Sequence, residues 1–151
     1  MDAKVRELFQ TVFEEKIPFN KFLGLKLDDA DDGKATVSFD FKPELIGNFE
    51  SGILHGGVIS AVLDVVGAVA VLSQHAKEGK ILLGFGTVDL RVDFLTPASG
   101  KHFTARGEVM RLGRILSSTR MEFYNEEGTL NATGAAIYRL SRRDNTRETN
   151  I

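Results

Sequence analysis

The apolar positions of this chain change period along its length, and each change marks an element. Val5, Leu8, Phe9, Val12 and Phe13 recur at i, i+3, i+4, i+7 and i+8, the stripe of an amphipathic helix that ends near Lys16, ahead of Pro18. Residues 22–27 then read as a first strand. After the turn signal Asp31-Asp32-Gly33, Ala35, Val37, Phe39 and Phe41 alternate with Thr36, Ser38 and Asp40 as a half-buried strand. Residues 43–54 are expected to form a loop. Residues 58–72, VISAVLDVVGAVAVL, are apolar almost throughout. They are too many for a typical strand and predict a helix buried on nearly every side, ending near Glu78-Gly79.

The second half reads as strand and turn. Val88, Leu90, Val92 and Phe94 alternate with Thr87, Asp89, Arg91 and Asp93, which puts Thr87 on the polar side. Strands over 103–110, 115–124 and 130–138 follow, joined at Gly113 and at Glu126-Glu127-Gly128, and such short links imply antiparallel neighbours. The order is helix, two strands, one long helix, four strands. One sheet must wrap the long helix, because nothing else in the chain could cover it. The expected class is α+β, an antiparallel sheet curled round a central helix, the arrangement called the hotdog fold. Residues 1–17 form its N-terminal helix, 18–140 the main domain, and 141–151 a polar tail expected to be disordered.

Composition narrows the function classes. At 151 residues the chain suits one domain. A net charge of −2 gives no support for nucleic-acid binding. The absence of cysteine removes disulfides, thiolate metal ligands and cysteine nucleophiles, and no metal site or cofactor is expected. The first residues mix acids with apolar residues, unlike a secretory leader. The 58–72 run falls short of the roughly 20 apolar residues of a membrane span, and it contains Asp64. A cytoplasmic domain with no membrane span is the expectation.

Asp64 carries the chemical signal. A lone carboxylate in an apolar helix is costly unless it is paired, hydrogen-bonded or functional. The helix opens on His55-Gly56-Gly57, where two glycines are expected to present unpaired N–H groups at the positive end of the helix dipole. An acid and a carbonyl-polarising helix end together suit acyl hydrolysis, with Asp64 as general base or as nucleophile. Gly56 and Asp64 are eight residues apart, about 12 Å along the axis at ~1.5 Å per residue. Both reach one carbonyl carbon only if a second copy of the helix runs antiparallel beside the first. That geometry implies a dimer.

Blander readings stand beside these. Asp64 could pair with Arg91 or Arg120, the glycines could serve close packing, and Asn48 could cap a turn. His55 reads as a group that fixes the loop rather than as a proton carrier. Arg111 and Arg114 could be ordinary surface charges.

The segment Asn48…Leu54-His55-Gly56-Gly57…Leu63-Asp64, followed by residues 86–98, GTVDLRVDFLTPA, resembles the PaaI-type hotdog acyl-CoA thioesterases. Pro18-Phe19-Asn20 and Gly47-Asn48-Phe49 look most like the YigI-type medium- and long-chain group within that family. The resemblance implies Asp64 as catalytic acid and the Gly56 N–H as carbonyl polariser. Gly57, His55 and Asn48 fall around them, and Thr87 stands where relatives use a hydroxyl to position water. It places Arg111, Gly113 and Arg114 where relatives hold the coenzyme A nucleotide, and Asp89 and Arg91 are grouped with these. It also implies an acyl-CoA substrate and a homodimer, extended to a dimer of dimers. Asn48 lies one residue further from His55 than the usual amide, and Thr96 replaces an arginine common before the proline.

Two other functions compete. A hotdog dehydratase or hydratase would use His55 and Asp64 across a dimer to work on the α and β carbons of an acyl thioester. A noncatalytic acyl-CoA sensor would bind without turnover. The aromatic residues Phe9, Phe13, Phe19, Phe22 and Phe49 are expected to line an acyl tunnel.

Overall fold

The computed structural model describes residues 3–77 and 84–141. Its helices are α1 (Ala3–Gln10), which continues as a π-helical turn (Thr11–Lys16), α2 (Pro18–Leu23) and α3 (Gly56–Lys77). Its strands are β1 (Lys26–Asp31), β2 (Lys34–Asp40), β3 (Ile46–Asn48), β4 (Ile53–Leu54), β5 (Gly84–Phe94), β6 (His102–Leu112), β7 (Leu116–Asn125) and β8 (Leu130–Ser141). Six strands form one antiparallel sheet in the order β1-β2-β6-β7-β8-β5, and β3 pairs with β4 separately. The expected end of the long helix and the polar tail lie outside the described residues.

The sheet wraps α3 as the apolar pattern demands. Val62, Leu63, Val66, Val69 and Ala70 of the helix are fully buried against Phe39, Phe103, Met121, Phe123 and Tyr138 of the strands. Three rings form the centre of this layer, with Phe103 5.4 Å from Phe39 and 5.7 Å from Phe123. Burying one such ring is worth roughly 1.5–3 kcal/mol. At Gly107 the β6 backbone presses on the helix so closely that a Cβ would stand 2.8 Å from the Val66 carbonyl oxygen.

Apart from the β3–β4 pair that forms inside the loop expected over residues 43–54, three expectations need correction. Of residues 22–27 only Lys26 and Leu27 lie in a strand. Pro18 starts α2, Gly24 closes it with φ at +73°, and β1 begins only at Lys26. The Asp32-Gly33 pair does make the expected turn, with both residues at positive φ between Asp31 and Lys34.

Nor is α3 buried on nearly every side. Val58, Ala61, Val65, Ala68 and Leu72 are only half-buried, a stripe with alternating spacings of three and four. At Gly56–Ala76 the helix is also longer than the run read from sequence, and by length and apolarity alone it could cross a membrane. Here its inner face is occupied by the sheet instead.

The third correction concerns β5. Its register against β8 shifts between Thr87 and Asp89, a bulge at Val88 that reverses which residues face inward. Phe85 and Thr87 face the helix side before it, and Leu90 and Val92 pack on the core after it. Val88 itself is left exposed. Thr87 is therefore not on the outer, polar side.

Candidate active site

The loop before α3 is held at several points by its own backbone. The His55 N–H donates to the Leu45 carbonyl at 2.9 Å, and the Leu54 N–H donates to the Ala98 carbonyl at 3.0 Å. A side chain at Gly47 would collide with the His55 main chain, so glycine there lets β3 lie against the helix start. His55 then caps α3. Its carbonyl accepts from the Val58 N–H at 2.9 Å, and its Nδ1 accepts from the Gly57 N–H at 2.8 Å. That bond uses the Nδ1 lone pair, so the proton of the neutral ring is assigned to Nε2.

Gly57 is thus not the free donor expected from sequence. Its N–H is spent on His55, and His55 has the loop-fixing place. Among the described residues none accepts from the Gly56 N–H. Gly56 lines a groove of about 290 Å³ together with Leu54, Ile59, Phe94, Leu95, Pro97 and their neighbours. The Phe94 ring stands 3.2 Å from where a Cβ on Gly56 would be. In the sequence Phe94 reads only as an alternating strand residue. Nothing local marks it, because its meeting with Gly56 joins two distant segments.

Asp64 is half-buried, on the side of α3 that faces β5. Its Oδ1 accepts from the Thr87 hydroxyl at 2.8 Å, and its main-chain carbonyl accepts from the Tyr138 hydroxyl at 2.7 Å. It has no arginine partner among the described residues. Arg91 pairs instead with Asp93 at 3.1 Å on the exposed edge strand. Burial, and next the Asp64 charge, push the Tyr138 phenol well above its ordinary range, so it stays a neutral donor. The sequence pattern places Tyr138 in a strand and carries no sign of its contact with Asp64.

Asn48 is exposed, and its Oδ1 accepts from the Glu50 and Ser51 N–H groups at 3.0 and 3.3 Å. It caps the β3–β4 turn. Thr96, which stands in the arginine position, accepts from the Asn131 side-chain amide at 3.1 Å. Arg111, Gly113 and Arg114 line one groove of about 450 Å³ with Ile115, Leu116 and Ile137. Asp89 and Arg91 line neither this groove nor the one at Gly56. The aromatics do not share one tunnel either: Phe9 and Phe13 stack against the core, Phe19 and Phe22 stack in the open, and Phe49 is 88% exposed. Among the described residues no group of three or more His, Asp or Glu could hold a metal ion.

The site is thus a hydrogen-bonded carboxylate and an open helix-terminal N–H, two helical turns apart. Comparison with known proteins agrees on its class. The sequence model of the thioesterase superfamily matches residues 51–132. The medium/long-chain acyl-CoA thioesterase YigI of Salmonella typhimurium is 36% identical over 141 residues, covering 87% of this chain and 91% of that protein. A crystal structure from Shewanella oneidensis, of a protein related to the thioesterase superfamily, is 37% identical with a TM-score of 0.79, covering 92% of this chain and 97% of the other. The PaaI protein of Escherichia coli shares the fold at 21% identity and a TM-score of 0.75, covering 91% of each chain. This chain is a member of the thioesterase superfamily, with the hotdog fold.

Proposed function

We propose that the protein hydrolyses medium- and long-chain acyl-CoA to the free fatty acid and coenzyme A, at a site made by two copies of the chain. The observation that carries this is the pairing of a Thr87-held carboxylate at Asp64 with an open N–H at Gly56. Asp64 acts as general base on water or as the nucleophile, and the Gly56 N–H stabilises the oxyanion at the positive end of the helix dipole.

Because α3 is unbroken from Gly56 to Lys77, the two groups of one chain cannot meet on one carbon. The half-buried stripe Val58, Ala61, Val65, Ala68 and Leu72 has the spacing with which one helix packs along another. Its two alanines allow close approach. A second α3 running antiparallel, centred near residue 60, brings each Gly56 beside the other chain's Asp64 and covers the Val58–Ala61 end of this stripe, apolar surface that one chain leaves half in water. Pairing of such dimers would complete the assembly. The groove at Gly56 suits the acyl end of the substrate. The Arg111–Arg114 groove suits the phosphates of the nucleotide, which guanidinium groups bind well.

The test is release of free coenzyme A from a panel of acyl-CoA esters by the wild type and by Asp64→Asn. Turnover by the wild type that is lost in the variant is expected. Tight binding of acyl-CoA without release would favour the sensor reading instead, and a change at the acyl double bond without release would favour the hydratase.

A further inference from the structure

Tyr138 is fully buried, yet it keeps a hydroxyl where phenylalanine would fill the same space. A buried phenol needs a partner. Its partner is the main-chain carbonyl of Asp64, at 2.7 Å. A carbonyl inside a helix already accepts from the N–H four residues on, and its second lone pair is free to take a donor from outside. Here the donor comes from the sheet and pins α3 to β8 at the residue that carries the carboxylate.

The hydroxyl also lies within hydrogen-bonding reach of the Thr119 side chain and the Ala68 backbone, and the neighbouring residues keep it against the helix. Gly67 lies one turn after Asp64, and a Cβ there would collide with the Tyr138 hydroxyl oxygen and stand 3.0 Å from the Thr119 hydroxyl. Glycine leaves the notch through which the phenol reaches the helix backbone. Phe85 stacks on the ring at 5.0 Å. Across the β5–β8 ladder the register partner of Tyr138 is Thr87, the residue that bonds the Asp64 carboxylate. One cross-strand pair therefore holds Asp64 twice, by its side chain and by its main chain.

We propose that Tyr138 is a positioning residue for the Asp64 carboxylate, acting through the α3 backbone in a notch kept open by Gly67. The inference rests on reading Asp64 as the catalytic acid. Its consequence is kinetic: displacing a catalytic group by about 1 Å costs up to ~10²-fold in rate.

Tyr138→Phe removes the hydroxyl and keeps the ring. With decanoyl-CoA as substrate, kcat is expected to fall about tenfold while KM stays within about twofold, the signature of an interaction that matters to the chemical step. Combining Tyr138→Phe with Thr87→Val should cost less than the product of the two single effects, since both act on one carboxylate. A core variant away from the site, Phe123→Leu, controls for stability: it should lower the melting temperature and leave kcat in place. Gly67→Ala, if it folds, should reproduce the loss in kcat, and if it does not, Tyr138→Phe alone decides. An unchanged kcat in Tyr138→Phe, whatever its melting temperature, overturns the inference. If Asp64→Asn is inactive while Tyr138→Phe is normal, only the positioning role falls. If Asp64→Asn turns over normally, the catalytic reading falls and takes the inference with it.

Discussion

The Thr87 hydroxyl donates a 2.8 Å hydrogen bond to the Asp64 carboxylate, tying the edge strand of the sheet to the middle of the central helix. A donor to a carboxylate fixes its orientation. Thr87→Val keeps the shape and removes the donor. It should lower kcat about tenfold, whereas Thr87→Ser should restore most of the rate. Because Thr87 is exposed, the melting temperature should hardly move, as for most surface substitutions. Steady-state kinetics beside a thermal melt checks both.

Asp64→Asn retains the shape and one oxygen able to accept from Thr87, but loses the base. A drop in kcat of at least ~10²-fold is expected, the lower scale of a general-base contribution. Folding should be unaffected, since the position is only half-buried. Near-normal turnover would remove the catalytic assignment.

Two inactive chains should rescue each other if the site is shared. Gly56→Pro deletes the open N–H at the first helical position, where proline is tolerated. The added carbons meet the Phe94 ring, which is 55% exposed and free to turn aside. Mixing Gly56→Pro subunits with Asp64→Asn subunits should restore one active site per mixed dimer. A strictly monomeric active enzyme would refute the geometry.

Substrate length should be read at the acyl end and charge at the other. Each methylene buried is worth roughly 0.8 kcal/mol, so kcat/KM should rise from acetyl-CoA to chains of about eight carbons and then level off. Replacing Arg111 and Arg114 together with alanine should raise KM for acyl-CoA more than for an acyl-pantetheine without the phosphates. A preference for acetyl- or aromatic acyl-CoA would rule out the fatty-acyl assignment.

Glu14 fastens the N-terminal helix to β1, accepting from the Leu27 N–H at 3.0 Å and from Lys26 at 2.9 Å. Partial burial pushes its carboxyl up, but the Leu27 and Lys26 bonds outweigh it and hold the pKa below its ordinary 4.5. A lowered folded pKa means the stabilisation is present above 4.5 and is lost as pH falls through the folded value. Glu14→Gln should therefore cost about 1 kcal/mol at neutral pH. The gap to wild type should close in acid, as followed by denaturant melts at several pH values. A gap that persists well below that range would show the bond is not ionic.

Much of the architecture was legible in local pattern. The heptad-like stripe of Val5 to Phe13, the alternation from Ala35 to Phe39 and the Asp32-Gly33 turn are written in side chains close together in sequence, so periodicity reports them. The strand expected from residue 22 starts only at Lys26, because Pro18, four residues before that window, and Gly24 inside it bracket a short helix that the same apolar positions support equally well. Packing, not propensity, chose between them.

Local pattern is enough to show which element is central and which acid stands alone in it: an apolar run with one carboxylate after two glycines admits few other arrangements. It also sets the eight-residue gap from Gly56 to Asp64, which a continuous helix converts into a distance. What each of those groups touches depends on the folded chain. Thr87 turns inward because of a bulge at Val88, and a bulge depends on the partner strand, which lies some fifty residues away in sequence at Tyr138. His55 takes the Gly57 N–H, while Phe94 meets Gly56 and Tyr138 meets Asp64. Such contacts form when distant segments close on one another, and no short-range period in the chain can record them.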